Sequence, residues 1–113
     1  MIQGEIWLVN LDPTVGAEIK KTRPFAIVSD NAIGVLPLKI IAPLTDFKER
    51  YQNVPWMVIL TPDSHNNLAK ASVLDLFQVR CVAEERLIHK IGIVDAEHLV
   101  KAQSALKIVF GIR

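Results

Sequence analysis

Glu5-Ile6-Trp7-Leu8-Val9-Asn10-Leu11, then Asp12-Pro13-Thr14-Val15-Gly16, then Arg23-Pro24-Phe25-Ala26-Ile27-Val28, set the character of this chain. The first run is short, apolar and rich in strand formers, so it reads as a strand. Asp-Pro followed by Gly breaks it, because Pro fixes one backbone angle and Gly permits conformations closed to other residues. A second apolar run begins at Phe25 and extends to Ser29, with Pro24 at its mouth predicting a first-residue or edge position. Residues 12–22 are then a long loop between two strands, a length that commonly carries function.

Working outward, Leu38 to Leu44 reads as a third strand, interrupted by Pro43, which removes a ladder donor and predicts a bulge or sheet edge. Thr45 to Val54 is a second polar loop. Trp56 to Thr61 is a fourth strand, and Pro62 to Lys70 is a turn rich in Asn and Asp. Ser72 to Val82 reads as a long or sharply bent strand, and Glu84 to Ile88 as a single helical turn. Only the end of the chain has helical periodicity. Asp95 is a suitable N-cap with Glu97 near the positive end of the dipole, and Gly111 is a suitable stop. Leu99, Ala102, Leu106, Val109 and Phe110 form one apolar face, with Ile108 near the opposite stripe.

Five to seven short strands followed by one helix predict a mainly β fold, a small, strongly bent antiparallel barrel over a single domain, residues 1–113. Several strands are apolar on both faces: Trp7 and Val9 oppose Ile6 and Leu8, and Trp56, Val58 and Leu60 oppose Met57 and Ile59. One face fills the interior. The other needs cover from the helix or a second subunit, so a homodimer is expected.

Half of the 113 residues are hydrophobic, which excludes a disordered chain, and no apolar run is long enough to span a membrane. The start Met1-Ile2-Gln3-Gly4-Glu5 carries no secretory pattern, so a cytoplasmic protein is expected. Cys81 cannot form an internal disulfide, and its apolar neighbours predict a buried, inert thiol. Thirteen basic and twelve acidic side chains give a net charge of +1, so any nucleic-acid site must come from local clustering. The densest basic cluster is Lys20, Lys21 and Arg23, with Lys48 and Arg50 second; a solvated loop accounts for either equally well from composition.

The sequence has no His-x-x-x-His, no Cys-x-x-Cys and no dense carboxylate motif, so no metal or other cofactor is expected, and His65, His89 and His98 read as surface residues. Phosphate-cradling glycine loops and a Gly-x-Ser-x-Gly nucleophile are also missing. RNA cleavage needs neither. Its own 2′-hydroxyl attacks the adjacent phosphorus, and the protein must neutralise charge on the phosphoryl oxygens and manage two protons. One well-placed donor is worth roughly 3–4 kcal/mol in such a step. Arg23, always charged and stiffened by Pro24, and the hydroxyl of Thr45 are the candidates, both at strand–loop junctions. A surface Arg beside an edge-strand Pro is the plainer alternative.

Gly4-Glu5-Ile6-Trp7-Leu8-Val9-Asn10-Leu11-Asp12-Pro13-Thr14, Gly16-x-Glu18 and Thr22-Arg23-Pro24 resemble the opening of MazF/PemK-type toxins. Ala42-Pro43-Leu44-Thr45 resembles that family's strand ending in a catalytic threonine. Ser72-Val73-Leu74, Gln78-Val79-Arg80 and Arg86-Leu87 are similar to its later pattern. The resemblance implies an SH3-like barrel of the PemK/CcdB type, a homodimer, and a ribosome-independent, sequence-specific endoribonuclease acting on single-stranded mRNA. It implies neutralisation by a cognate MazE-like antitoxin, whose acidic segment would occupy the RNA groove. It assigns Arg23 to transition-state stabilisation and proton transfer, and Thr45 to phosphate contact. Glu18, Lys20, Lys21, Asp46, Asp75 and Gln78 are the candidates for RNA contact.

Many members of the family carry a carboxylate immediately before the Gln of Gln-x-Arg, where this chain has Phe77. Asp75, on the same face of a regular strand, either takes over part of that role or anchors a base edge, or else pairs with Arg80 or Arg86. Phe77 either stacks a base or fills the core. CcdB-type proteins share the fold but poison DNA gyrase by protein contact, through a Trp near the C-terminus; here the two Trp are Trp7 and Trp56. An RNA-binding module without activity is the third reading.

Overall fold

A computed structural model describes residues 1–11, 22–33 and 36–113. Among the described residues seven strands precede one α-helix: β1 (Glu5–Asn10), β2 (Thr22–Ile27), β3 (Leu38–Asp46), β4 (Met57–Leu60), β5 (Ser72–Asp75), β6 (Arg80–Ala83), β7 (Leu87–Ile93) and α1 (Ala96–Phe110). Every ladder is antiparallel. The strand order is β4-β5-β3-β2-β1-β7, with β6 also paired to β3. The mainly β class and the terminal helix are as expected, but the barrel does not close: β4 and β7 end the strand order and are not paired to each other.

β3 organises the sheet by changing partners along its length. Its first half pairs with β6 and, through Ile41–Pro43, with β2; from Leu44 onward it pairs with β5. Pro43 sits at this exchange, where a missing N–H is tolerated. The β2–β3 ladder starts only at Phe25, so β2 is paired on one side alone at Pro24, a local edge that accommodates the proline within the strand.

Strand alternation builds two cores. Ile6, Ala26, Val28, Ala42, Leu44, Val58, Leu60 and Leu74 pack with Ala102 and Ala105 of α1. Val9, Phe25, Ile27, Ile41, Val82 and Leu87 form the second, with Trp7 and Leu11 against them. The helix is set by its caps: the Asp95 carboxylate accepts the His98 N–H at 2.8 Å, and Gly111 takes φ +68°. That backbone bond, aided by the His98 ring, holds the Asp95 carboxyl below the usual carboxylate range.

Four expectations change. The run 72–82 is two strands, because Asp75 caps a 3-10 turn at Leu76–Gln78. Phe77 is therefore exposed, tilted against Trp56 with ring centroids 5.9 Å apart, rather than in the core. Cys81 is exposed, because β6 turns Val82 inward and the next side chain out. Phe110 is exposed at the end of α1, where its neighbour Val109 packs against the core instead.

Glu5 ties the start of the chain to β7. Its carboxylate is buried and accepts from Ile2 N–H at 2.9 Å and Trp7 Nε1 at 3.0 Å, with Lys90 Nζ at 3.1 Å. Burial pushes its pKa up; the Trp7, Ile2 and Lys90 hydrogen bonds outweigh that and hold it down at about 2. A folded-state pKa below the unfolded value gives stability that is complete above the ordinary value of 4.5 and lost as pH falls towards 2. The expected loss is roughly 3 kcal/mol across that window. Urea unfolding at pH 7, 4 and 2.5 checks it, and Glu5→Gln should be less stable at pH 7 and lack this part of the pH dependence.

Candidate functional site

Strand register puts Arg23 and Thr45 on one face. In β1–β2, Arg23 lies directly opposite Val9 and Phe25 opposite Trp7. Directly opposed residues of antiparallel strands share a face, so Arg23 belongs to the face of Val9, Phe25 and Ile27. In β2–β3, Phe25 is opposite Pro43 and Ile27 opposite Ile41. Carried two residues further, this register sets Arg23 opposite Thr45, on the same face, beyond the last paired position. Both side chains are half-buried. Two cores hold the backbone beneath them rigid: Val9, Phe25 and Ile41 on one side, Ala42 and Leu44 on the other.

Asp75 and Gln78 join the same face. Thr45 is directly opposite Val73 of β5, and Asp75 lies two residues beyond Val73, the diagonal position on that face. Asp75 is 5 % exposed. Its Oδ1 accepts the Phe77 N–H at 3.0 Å and its Oδ2 accepts Gln78 Nε2–H at 2.8 Å. Among the described residues Asp75 has neither expected cation: Arg86 donates Nη1–H to Asn10 O at 3.3 Å instead. Gln78 itself is exposed.

Asp46 does not join them. It alternates with Thr45 along β3, turns to the other face, and forms an exposed ion pair with Lys70 at 2.9 Å. Glu18, Lys20 and Lys21 lie outside the described residues. The sequence offers Arg86 as a possible partner for Asp75 and within the Arg86-Leu87 resemblance; the structure sets it beside Asn10, the partner of Thr22 and so next to the Arg23 position. The Arg86-Leu87 pair where β7 begins was the available signal. A groove of about 520 Å³ between residues 52–59 and α1, lined by Met57, Val100 and Ile108 among others, contains none of the candidate residues. No three of His, Cys, Asp and Glu gather closely enough to hold a metal among the described residues, and no described helix is long and apolar enough to cross a membrane.

Residues 2–110 match the family described as PemK-like, MazF-like toxin of type II toxin–antitoxin system. The chain belongs to that family. MazF9, an endoribonuclease of Mycobacterium tuberculosis, is 31 % identical over 96 % of this chain and 94 % of its own length. A MazF endoribonuclease of Staphylococcus epidermidis is 28 % identical over 97 % of this chain and 91 % of its own. A MazE–MazF structure from Deinococcus radiodurans superposes with a TM-score of 0.79 at 22 % identity, covering 100 % of this chain and 97 % of that one, which bears on the fold. The open antiparallel sheet with its C-terminal helix is thus the MazF-like fold.

Proposed function

We propose that this MazF-like toxin is a sequence-specific endoribonuclease that cuts single-stranded mRNA without a metal. The observation that carries the reading is the register that sets Arg23 and Thr45 opposite one another on one face. The 2′-hydroxyl of the nucleotide at the cut attacks the adjacent phosphorus. An O2′–P bond forms as the 2′-hydroxyl gives up its proton, the P–O5′ bond breaks as O5′ takes one up, and the products end in a 2′,3′-cyclic phosphate and a 5′-hydroxyl. Negative charge builds on the non-bridging oxygens as five oxygens crowd the phosphorus. The Arg23 guanidinium offers them a planar fork of donors, and the Thr45 hydroxyl offers one more from the facing strand. The strands that carry both are fixed by the packed cores before substrate arrives, which limits the reorganisation needed when the charge appears. Arg86, Lys20 and Lys21 hold neighbouring phosphates, which makes binding weaken with added salt. Glu18 and Gln78 contact bases.

The protein acts in the cytoplasm as a single toxin domain and pairs with a cognate MazE-like antitoxin whose acidic segment competes for the RNA face. It forms a homodimer. The exposed apolar residues Leu38, Ile40, Phe77, Ile108 and Phe110 support this, being more than a monomer commonly leaves to water.

Incubation with a long transcript in EDTA tests the reading: discrete fragments with 5′-hydroxyl ends are expected. Intact RNA accompanied by trapped gyrase–DNA complexes would favour a CcdB-like poison instead. Thr45→Ala should slow cleavage by about 10²-fold, less than loss of the cation, because a neutral donor contributes less than a charged one. Single-turnover rates at saturating protein measure it.

A further inference from the structure

Among the described residues two carboxylates are buried, Glu5 and Asp75. Glu5 is fully engaged with Lys90, Trp7 and Ile2. Asp75 is different: it is buried, it faces the site, and one of its two oxygens is directed at an exposed side chain.

We infer that Asp75 is a positioning residue that fixes which way round the Gln78 amide faces, and so determines which bases Gln78 accepts. This rests on the ribonuclease reading above. The carboxylate of Asp75 can only accept hydrogen bonds. Its Oδ1 takes the Phe77 N–H and thereby caps the 3-10 turn. Its Oδ2 takes an N–H of Gln78 Nε2 at 2.8 Å. An amide rotated by half a turn would set Oε1 against Oδ2, two acceptors with no proton between them. Asp75 therefore holds one Nε2–H inward and leaves Oε1, the only acceptor of the amide, for a ligand beside the second N–H. Asp75 is diagonal to Thr45 on one face, so the amide it orients stands beside the cleavage position and not at a remote surface.

An outward carbonyl oxygen can accept from an exocyclic amino group. Adenine and cytosine each offer one, whereas uracil has a carbonyl oxygen at the corresponding position and keeps its only donor, N3–H, one ring atom away. One nucleotide of the recognised sequence should therefore favour an amino-bearing base over uracil. A Gln without Asp75 behind it is free to turn and read either class.

Asp75→Asn tests this because it separates the two bonds. Its single oxygen remains available to the Phe77 N–H, so the turn keeps its cap. Its NH₂ then faces Gln78, which must reverse to accept from it, and Nε2 turns outward. Cleavage-end mapping over a randomised RNA library should show D75N cutting with uracil at one position at least tenfold better, relative to the amino-bearing bases, than wild type does. Gln78→Ala, at an exposed position that leaves the fold intact, should lose discrimination at that same position. Unchanged base preference in D75N, a uniform slowing at every word, or changes at different positions in the two variants would overturn the assignment. If D75N fails to fold, the Gln78→Ala map decides: no loss of discrimination at any position overturns it. Wild-type protein that cuts no RNA would overturn the ribonuclease reading and this inference with it, whereas cutting with unmoved preferences overturns this inference alone.

Discussion

Replacing Arg23 with Ala should slow RNA cleavage by about 10³-fold or more and leave the protein folded. Removing one neutral donor from a pre-organised anion site costs roughly 10²–10³-fold, and a guanidinium adds full charge and a second parallel hydrogen bond. Arg23 is half-buried near the start of β2, and its neighbours Val9 and Phe25 remain packed without it. The melting temperature should move by only a few degrees. Arg23→Lys should recover part of the rate at most, because an ammonium supplies charge without the planar fork. Rates measured with excess protein, alongside circular dichroism melts, separate lost chemistry from lost fold. A variant that cuts at the wild-type rate would remove Arg23 from the site.

Gly92→Ala should destabilise the protein by ~2–3 kcal/mol or prevent folding. Gly92 lies in β7 opposite Ile6 of β1. A Cβ there would stand 2.4 Å from the backbone oxygen of Asn66 and 2.6 Å from that of His65. Neither obstacle is a side chain that can swing aside. The segment is fixed by its own bonds: His65 O accepts the Ile93 N–H at 2.9 Å, and Asn67 Nδ2 donates to Ile91 O at 2.9 Å. Asn66 is buried, with Oδ1 accepting from Asp63 and Leu68 N–H and Nδ2 donating to Thr61 O. Admitting one methyl means moving this docked turn off β7, and overpacking of that kind commonly costs 1–3 kcal/mol. That is a large share of a small domain's total stability. Urea unfolding of the purified variant is the measurement, and a shift under ~0.5 kcal/mol would mean that the turn yields freely.

The parts of the fold that were legible in sequence are those with strong local signals. β1 and β4 announce themselves by apolar runs between breakers, and α1 by its cap, its period and Gly111. β7 was missed because His89, Lys90 and Gly92 interrupt its alternation. Among the described residues it is an end strand paired to β1 alone, so two of its side chains need not be apolar. The break at Asp75 was equally hidden, since a carboxylate that caps a 3-10 turn looks in sequence like a polar residue within a strand. That break carried the misreading of Phe77 with it. Thr45 was placed where a loop begins, whereas β3 runs on to Asp46 because β5 takes over as its partner at Leu44. Residue types pointed to Arg23 and Thr45, but their meeting on one face depends on a register between strands 22 residues apart in sequence. The separation of Asp46 from that face follows from alternation alone once β3 is known to include it. The bond from Gln78 to Asp75 had no sequence signal, because its geometry is created by the turn.

Arg23 and Thr45 acting on the same phosphate is the central claim. The most direct measurement is a crystal structure of the protein with an RNA carrying a 2′-deoxy nucleotide at the cleavage position, which cannot supply the attacking hydroxyl. The phosphate 3′ to that nucleotide should lie within hydrogen-bond distance of both the Arg23 guanidinium and the Thr45 hydroxyl. A structure in which the two side chains hold different phosphates, or in which Arg23 turns to solvent, would contradict it.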